Sequence, residues 1–150
     1  MRKMSLAVAF VACAAFVTSG FAGDSNKVEP RCPVSGKKID EYNYVKFNGG
    51  KVYFGCENCP IAFAKEKAGG RFAAKANYQL YVTKQATLNK CPFTGEKLNT
   101  DTKISVSGMD VFFCCAMCQA KVKEKKTDDQ IEMIFSTKNF KKGFEVKSAK

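Results

Sequence analysis

The sequence predicts an α+β protein made of two small units in tandem, each a cysteine knuckle, a β-hairpin and an α-helix. Three observations carry this reading. Cys32, Cys56 and Cys59 recur as Cys91, Cys115 and Cys118 at a constant offset of 59 residues. Arg31-Cys-Pro-Val-Ser-Gly-Lys-Lys-Ile39 answers to Lys90-Cys-Pro-Phe-Thr-Gly-Glu-Lys-Leu98, and Val52-Tyr-Phe-Gly-Cys-Glu-Asn-Cys59 to Val111-Phe-Phe-Cys-Cys-Ala-Met-Cys118. Between the motifs, each copy carries two β-rich runs around a glycine turn. An ungapped repeat that keeps thiols and turn glycines marks one supersecondary unit built twice.

Each element has a local cause. In Cys32-Pro-Val-Ser-Gly36, Pro33 fixes φ, Ser35 can bond nearby backbone, and Gly36 permits a positive φ, so the segment reads as a tight turn. Tyr44–Phe47 and Lys51–Phe54 are rich in β-branched and aromatic residues and flank Asn48-Gly49-Gly50, which predicts a hairpin. The second copy repeats it with Lys103–Val106, Ser107-Gly108-Met109 and Asp110–Phe113. A helix is expected over 57–68, with Asn58 as cap, Pro60 in the first turn and Gly69-Gly70 at its end. Its counterpart covers 116–126. Cys59 and Phe63 then share one face, as do Cys118 and Val122, which turns Cys59 and Cys118 inward toward the knuckles. In the tails we expect a short helix over 71–77, extended chain over 78–82 and a strand over 130–135, with Phe140, Phe144 and Val146 packed back on the body.

The N-terminus reads as a targeting signal. Met1-Arg2-Lys3 is basic, residues 4–17 are apolar, and Gly20 and Ala22 are small residues before a cleavage site. The run is shorter than the roughly 20 apolar residues that a spanning helix needs, and no later segment approaches that length. The expected product is exported, periplasmic or secreted, with no membrane span after cleavage. Phe10-Val-Ala-Cys13 loosely resembles a lipoprotein box, but the apolar run continues past Cys13, which reads as a small apolar residue of the signal. The expected organisation is a signal peptide over 1–22, a linker over 23–30, a first repeat over 31–88 and a second over 89–150. The net charge of +11 falls to +9 without Arg2 and Lys3. The lysines are spread rather than striped, so we read a solvated basic surface and expect no nucleic-acid partner. Units of about 60 residues bury little and are marginal without a metal, a disulfide or a packed neighbour.

The layout places thiols on a knuckle and at a helix start, the arrangement of a treble-clef-like zinc site. A full site of that kind carries a second knuckle cysteine, whose place Ser35 and Thr94 take here. Each unit thus offers three thiolates and a hydroxyl, and the chain has no histidine. Asp40 or Glu57 could approach the first site. Zinc would complete four ligands with water or a carboxylate, whereas Cu(I) is served by thiolates alone. The competing reading is oxidation, with Cys56–Cys59 and Cys115–Cys118 as local disulfides. Exported proteins often carry such bonds, but without Cys13 the chain has an odd number of cysteines. We therefore take metal as the leading reading, with a disulfide-stapled structural or interaction domain as its alternative. The candidate ligands are Cys32, Cys56, Cys59, Cys91, Cys114, Cys115 and Cys118. Catalysis has little support: no Ser/His/Asp arrangement is possible without histidine, and no βαβ pattern surrounds either Cys-x-x-Cys.

Cys-Pro-Val-Ser-Gly-Lys-Lys-Ile, then Gly-Gly-Lys-Val-Tyr-Phe, then Cys-x-x-Cys with Phe63 in a helix, resembles the YHS domain and its TRASH relatives, in two copies. The resemblance implies metal handling and, as partner, a metal transporter or another exported metal protein. In the TRASH pattern the middle cysteine stands four residues before the last. That pattern selects Cys91, Cys114 and Cys118 in the second copy, whereas the internal repeat pairs Cys56 with Cys115. In the first copy Gly55 takes the middle place, so Cys32, Cys56 and Cys59 form the only trio there. We lean to Cys114 in the second copy, with Cys115 as a spare thiol. A strained disulfide between Cys114 and Cys115 is a further possibility.

Overall fold

The computed structural model describes residues 28–147; the expected signal, Cys13 and residues 23–27 of the linker lie outside them. The chain is mixed α+β. It runs β1 (Asp40–Phe47), β2 (Gly50–Phe54), α1 (Asn58–Lys65), an irregular 3-10 segment (Lys67–Phe72), α2 (Ala73–Val82) and β3 (Ala86–Leu88). Then follow β4 (Asn99–Val106), β5 (Met109–Phe113), α3 (Ala116–Lys123), α4 (Thr127–Ile134), α5 (Thr137–Gly143) and β6 (Phe144–Val146). The strands form three antiparallel two-stranded sheets, β1–β2, β4–β5 and β3–β6. No helix among the described residues is long and apolar enough to cross a membrane.

Segments 59 residues apart match in backbone detail. In each knuckle the glycine N–H donates to the cysteine carbonyl at 2.8 Å, Gly36 to Cys32 and Gly95 to Cys91, with φ of 69° and 83° at the glycines. Asp40 and Asn99 each accept from the N–H two residues on, at 3.0 Å. Both first strands then bulge, between Asp40 and Tyr44 and between Asn99 and Ile104. The hairpin turns have positive φ at both central residues, Asn48 (48°) with Gly49 (86°) and Ser107 (48°) with Gly108 (87°). That is the turn whose twist suits a two-residue hairpin. The helices follow at Asn58 and Ala116. Cys59 and Phe63 are buried in α1, Cys118 and Val122 in α3, as the one-turn spacing predicts.

Beyond these helices the copies diverge, and two expectations need correction. Residues 78–82 are the end of helix α2, not extended chain. Nearly every residue from Ala73 to Val82 is buried or half-buried, so packing on several sides, not propensity, decides the conformation. Residues 130–134 belong to helix α4, not to a strand, with Phe135 just past its end. Gln130, Ile131 and Ile134 bury one helical face, and Asp128 and Asp129 sit in the first turn, where the helix dipole favours acids. Phe140 and Phe144 do pack back. They stack at 5.0 Å, and Phe144 meets Phe135 at 5.0 Å and Tyr81 at 5.3 Å. Val146 pairs with Ala86, so the last strands of the two copies lie side by side.

Helix α2 sits between the hairpins and completes both. The Gln79 amide accepts from Tyr53 N–H at 2.6 Å and donates to the Tyr53 carbonyl at 2.8 Å and the Arg31 carbonyl at 2.9 Å. Gln85, just after α2, does the same for Lys51, accepting at 2.7 Å and donating at 2.8 Å. Two side-chain amides thus stand in for a neighbouring strand along the edge of β2. Toward the second copy, the Tyr81 hydroxyl donates to Asp110 O at 2.6 Å, and the Tyr78 hydroxyl lies 3.1 Å from Ser107 O. Among the described residues no buried side-chain nitrogen or oxygen lacks a hydrogen-bond partner.

Gln79 is 1% exposed, and removing its amide leaves part-buried backbone groups of Tyr53 and Arg31 without their partner. Gln79→Leu is expected to cost about 3 kcal/mol, since each unsatisfied buried group costs about 1–3 kcal/mol. Urea unfolding measures this as a lower midpoint at unchanged slope. A loss below about 0.5 kcal/mol, the range of ordinary surface substitutions, would show that water replaces the amide.

Candidate metal centre

Three segments bring cysteines together in the second copy. Cys91 sits on the knuckle, held where Cys91 N–H donates to Glu96 O at 2.9 Å. The knuckle is fixed from behind by Gly143 at the end of α5, whose carbonyl accepts from Asn89 N–H at 2.8 Å and Lys90 N–H at 3.1 Å. A side chain at Gly143 would meet the Lys90 carbonyl and the Pro92 backbone, so only glycine allows this approach. Cys114 follows β5 directly, and Cys118 lies in the first turn of α3.

The ligand atoms of Cys91, Cys114 and Cys118 all lie within 4.8 Å of one another. Among the described residues they are the one such group of three or more Cys, His, Asp or Glu. Cys114 and Cys118 Sγ are 3.7 Å apart. Three sulfurs each about 2.3 Å from one zinc ion stand about 3.8–4.0 Å from each other, so the spacing fits a shared ion with little movement. The group holds no carboxylate, and Cys91 and Cys118 are buried while Cys114 is half-buried. The Thr94 hydroxyl borders it, 3.3 Å from Cys114 Sγ. The residues present therefore suit a thiophilic ion with three sulfur ligands and one side open.

Cys115 is placed differently. It precedes α3 in extended conformation, and its Sγ lies 3.7 Å from Cys114 Sγ, outside the mutual cluster. Cys114, Cys115 and Cys118 are all free thiols, so neither the vicinal disulfide nor a Cys115–Cys118 bond is formed. Successive residues after a strand point to different sides, and here Cys114, not Cys115, joins both Cys91 and Cys118 in the mutual group. Met117, 77% exposed, presents a thioether on the same first turn.

The first copy differs from the trio expected there. Cys56 and Cys59 are joined by a disulfide, so in this structure they are not thiolate ligands, and Cys32 remains a buried free thiol. Gly55 occupies the position of Cys114. A Cβ on Gly55 would run into the Lys38 carbonyl, so this backbone leaves no room for a third thiol at that point. Neither Asp40 nor Glu57 joins a candidate metal group among the described residues.

Ionisation within the second-copy cluster is uneven. Burial pushes the Cys91 thiol up, but hydrogen bonds from the Thr94 hydroxyl and from the Cys114, Thr94 and Phe93 backbone outweigh it and bring Cys91 to about 7. Burial, the neighbouring Cys114 and Cys115 thiols and the charge on Cys91 push Cys118 up to about 12. One thiolate thus suppresses the next, as like charges in one site must. Cys32 is also held below the usual thiol value: burial opposes this, while the Ser35 hydroxyl and backbone at Gly55, Ser35 and Val34 favour it. These donors match those of Cys91 at the offset of 59.

No protein-family model, curated protein or solved structure matches this chain.

A folded-state value below the unfolded one means that the Cys91 thiolate adds stability above pH 9.0, a contribution lost as pH falls through about 7. Thr94→Val removes one donor. In metal-free protein its thiolate absorbance is expected to titrate at a higher midpoint than the wild type's, nearer 9.0. Its stability deficit should appear as pH rises from 7 to 9 and vanish below 7. A deficit that does not change with pH would assign Thr94 a packing role only.

Proposed function

We propose that this protein binds a soft metal ion, Zn(II) or Cu(I), through Cys91, Cys114 and Cys118, and serves in metal buffering, delivery or sensing outside the cytoplasm. The single observation behind it is the convergence of three sulfurs, two of them buried, within 4.8 Å. Three thiols in that space cannot all ionise unaided, and a bound cation supplies the charge that lets them. The Thr94 hydroxyl and the knuckle amides already favour the first thiolate. The recurrent knuckle, hairpin and helix support two tandem treble-clef-like units, and with the motif resemblance they support kinship with the YHS and TRASH domains. The natural partner would be a transporter or another exported metal protein that shares the ion. No catalytic role is proposed.

The second reading is an exported structural or interaction domain whose cysteines are staples. The Cys56–Cys59 disulfide favours it for the first copy. For the second copy it does not account for three free thiols gathered at one point.

The readings separate in a competition titration against a metal-chelating dye. Cys118→Ser and Cys114→Ser are expected to weaken binding by more than about 100-fold, since even residues that only orient a ligand cost about 10–100-fold. Cys115→Ser is expected to keep the stoichiometry. Wild-type protein that takes up no ion, with its second-copy thiols reduced, would leave the staple reading standing.

A further inference from the structure

We propose that the first copy contains a second soft-metal site that its disulfide keeps shut: reduction of Cys56–Cys59 by a dithiol releases both sulfurs to bind an ion together with Cys32. The proposal rests on the metal reading of the Cys91 cluster, of which this site is the redox-controlled counterpart.

The frame is already in place. Cys32 is held on its knuckle by the same two backbone bonds as Cys91, at the same 2.8 and 2.9 Å. Cys32 and Cys91 are 2% and 0% exposed, and Cys59 and Cys118 are each 3% exposed, one on each inner helix face. Cys32 and Cys59 therefore hold, at the offset of 59, the knuckle and inner-helix positions that Cys91 and Cys118 hold in the second copy. The third sulfur must come from elsewhere, because Gly55 cannot carry a side chain past the Lys38 carbonyl. Cys56 supplies it. Its bond to Cys59 shows that its sulfur is turned toward Cys59, whereas Cys115 at the equivalent place lies outside its trio. Asn43 Nδ2 holds this segment by donating to Cys56 O at 2.8 Å, a contact that does not depend on the disulfide. A staple alone would not need Cys32, a buried thiol that the bond leaves unused.

The bond is also open to a reductant from one side. Cys56 is half-buried and lines a surface hollow with Asp40, Tyr42, Asn43, Gly55 and Glu57, while Cys59 is buried. A thiolate of the dithiol attacks Cys56 Sγ, forming a mixed disulfide and releasing Cys59 as thiolate. The second thiolate of the reductant then attacks its own sulfur in that mixed disulfide. Cys56 leaves as thiolate and the reductant closes its own disulfide. Two electrons pass from the dithiol to the protein, and its two protons go to Cys56 and Cys59 or, when an ion binds there, to solvent.

The test measures Cu(I) uptake by equilibrium dialysis under nitrogen, on the protein as isolated and after treatment with a small dithiol that is then removed. Alkylation and peptide mass mapping report the state of Cys56 and Cys59 in the same samples. One ion is expected before reduction and two after. Cys32→Ser should hold one in both states, and Cys91→Ser/Cys118→Ser should hold none before and one after. One ion in both states, with mapping showing the bond open, overturns the proposal and leaves the Cys91 site intact. A second ion on reduced Cys32→Ser also overturns it. No ion before reduction and one after, lost in Cys32→Ser, supports the proposal and overturns the Cys91 reading alone. If Cys32→Ser does not fold, Cys59→Ser replaces it, with one ion expected with or without dithiol and two overturning the proposal.

Discussion

The edge pairing between helix α2 and the two hairpins is the contact on which the rest of this fold depends. A lone two-stranded hairpin is barely stable in water and leaves backbone groups unpaired along both edges. Here Gln79 and Gln85 satisfy Tyr53 and Lys51 in the first hairpin, and Tyr81 satisfies Asp110 in the second. Asp110 is the repeat equivalent of Lys51, so one helical region serves the same edge twice. Asn77 ties in the rest, accepting from Asn48 Nδ2 at 2.7 Å and donating to Phe135 O at 2.9 Å. With the hairpins held, their strand ends are held too, and those ends carry Gly55 and Cys114.

One frame, two chemistries follows from single substitutions on fixed backbone. At the end of the first hairpin the Lys38 carbonyl approaches so closely that only glycine fits, and the neighbouring cysteines close on each other. At the end of the second hairpin Cys114 enters the cluster and Cys115 is left outside it. The electrostatic result is a cluster that favours one thiolate and disfavours a second. Cys91 ionises near neutrality, and its charge raises the cost of a second thiolate at Cys118. A cation reverses that order, because each added thiolate then gains from the ion more than it loses to its neighbour. The same spacing that makes the metal-free cluster resist charge is what would let one cation reach all three sulfurs.

The parts read from the sequence are those whose cause is local. Gly36, Gly49, Gly95 and Gly108 sit where a positive φ is required, and all four adopt it. The hairpin strands and the helix starts follow from turn residues and spacing. The end of α2 and helix α4 were read otherwise for one shared reason, while the start of α2 falls in the helix expected over 71–77. Tyr78–Val82 and Gln130–Phe135 are short runs with β-branched or aromatic residues, and runs of that length do not separate helix from strand by local preference alone. Their partners are distant: Gln79 answers to Tyr53, Tyr81 to Asp110, and Gln130 Nε2 to Val122 O. The disulfide state was hidden for a different reason. Cys-x-x-Cys at a helix start permits both a bond and a shared ion, and the choice depends on which way one sulfur turns. Neither the crowding at Gly55 nor the support that Gly143 gives the knuckle has any local signature, since each arises where separate segments touch.

The two copies are not interchangeable, because each makes contacts that the other lacks. Residues 73–82 form one continuous helix, but at the offset of 59 the second copy breaks into α4 and α5 at Ser136, whose hydroxyl accepts from Asn139 N–H at 3.4 Å. The break lets α5 deliver Gly143 to the second knuckle, where it holds Lys90 and Asn89. It also leaves the second copy without a helix of its own to complete its hairpin edge, and α2 of the first copy does so instead. The first copy in turn lacks a partner for β3, which β6 of the second supplies through three residue pairs. Strands that short do not pair alone, but here α2, which adjoins β3, packs against α5, which adjoins β6, so the pairing orders little further chain. Each copy thus completes what the other leaves open. The thiol cluster lies in the copy whose knuckle is braced from behind, where fixed ligand positions matter most for holding an ion.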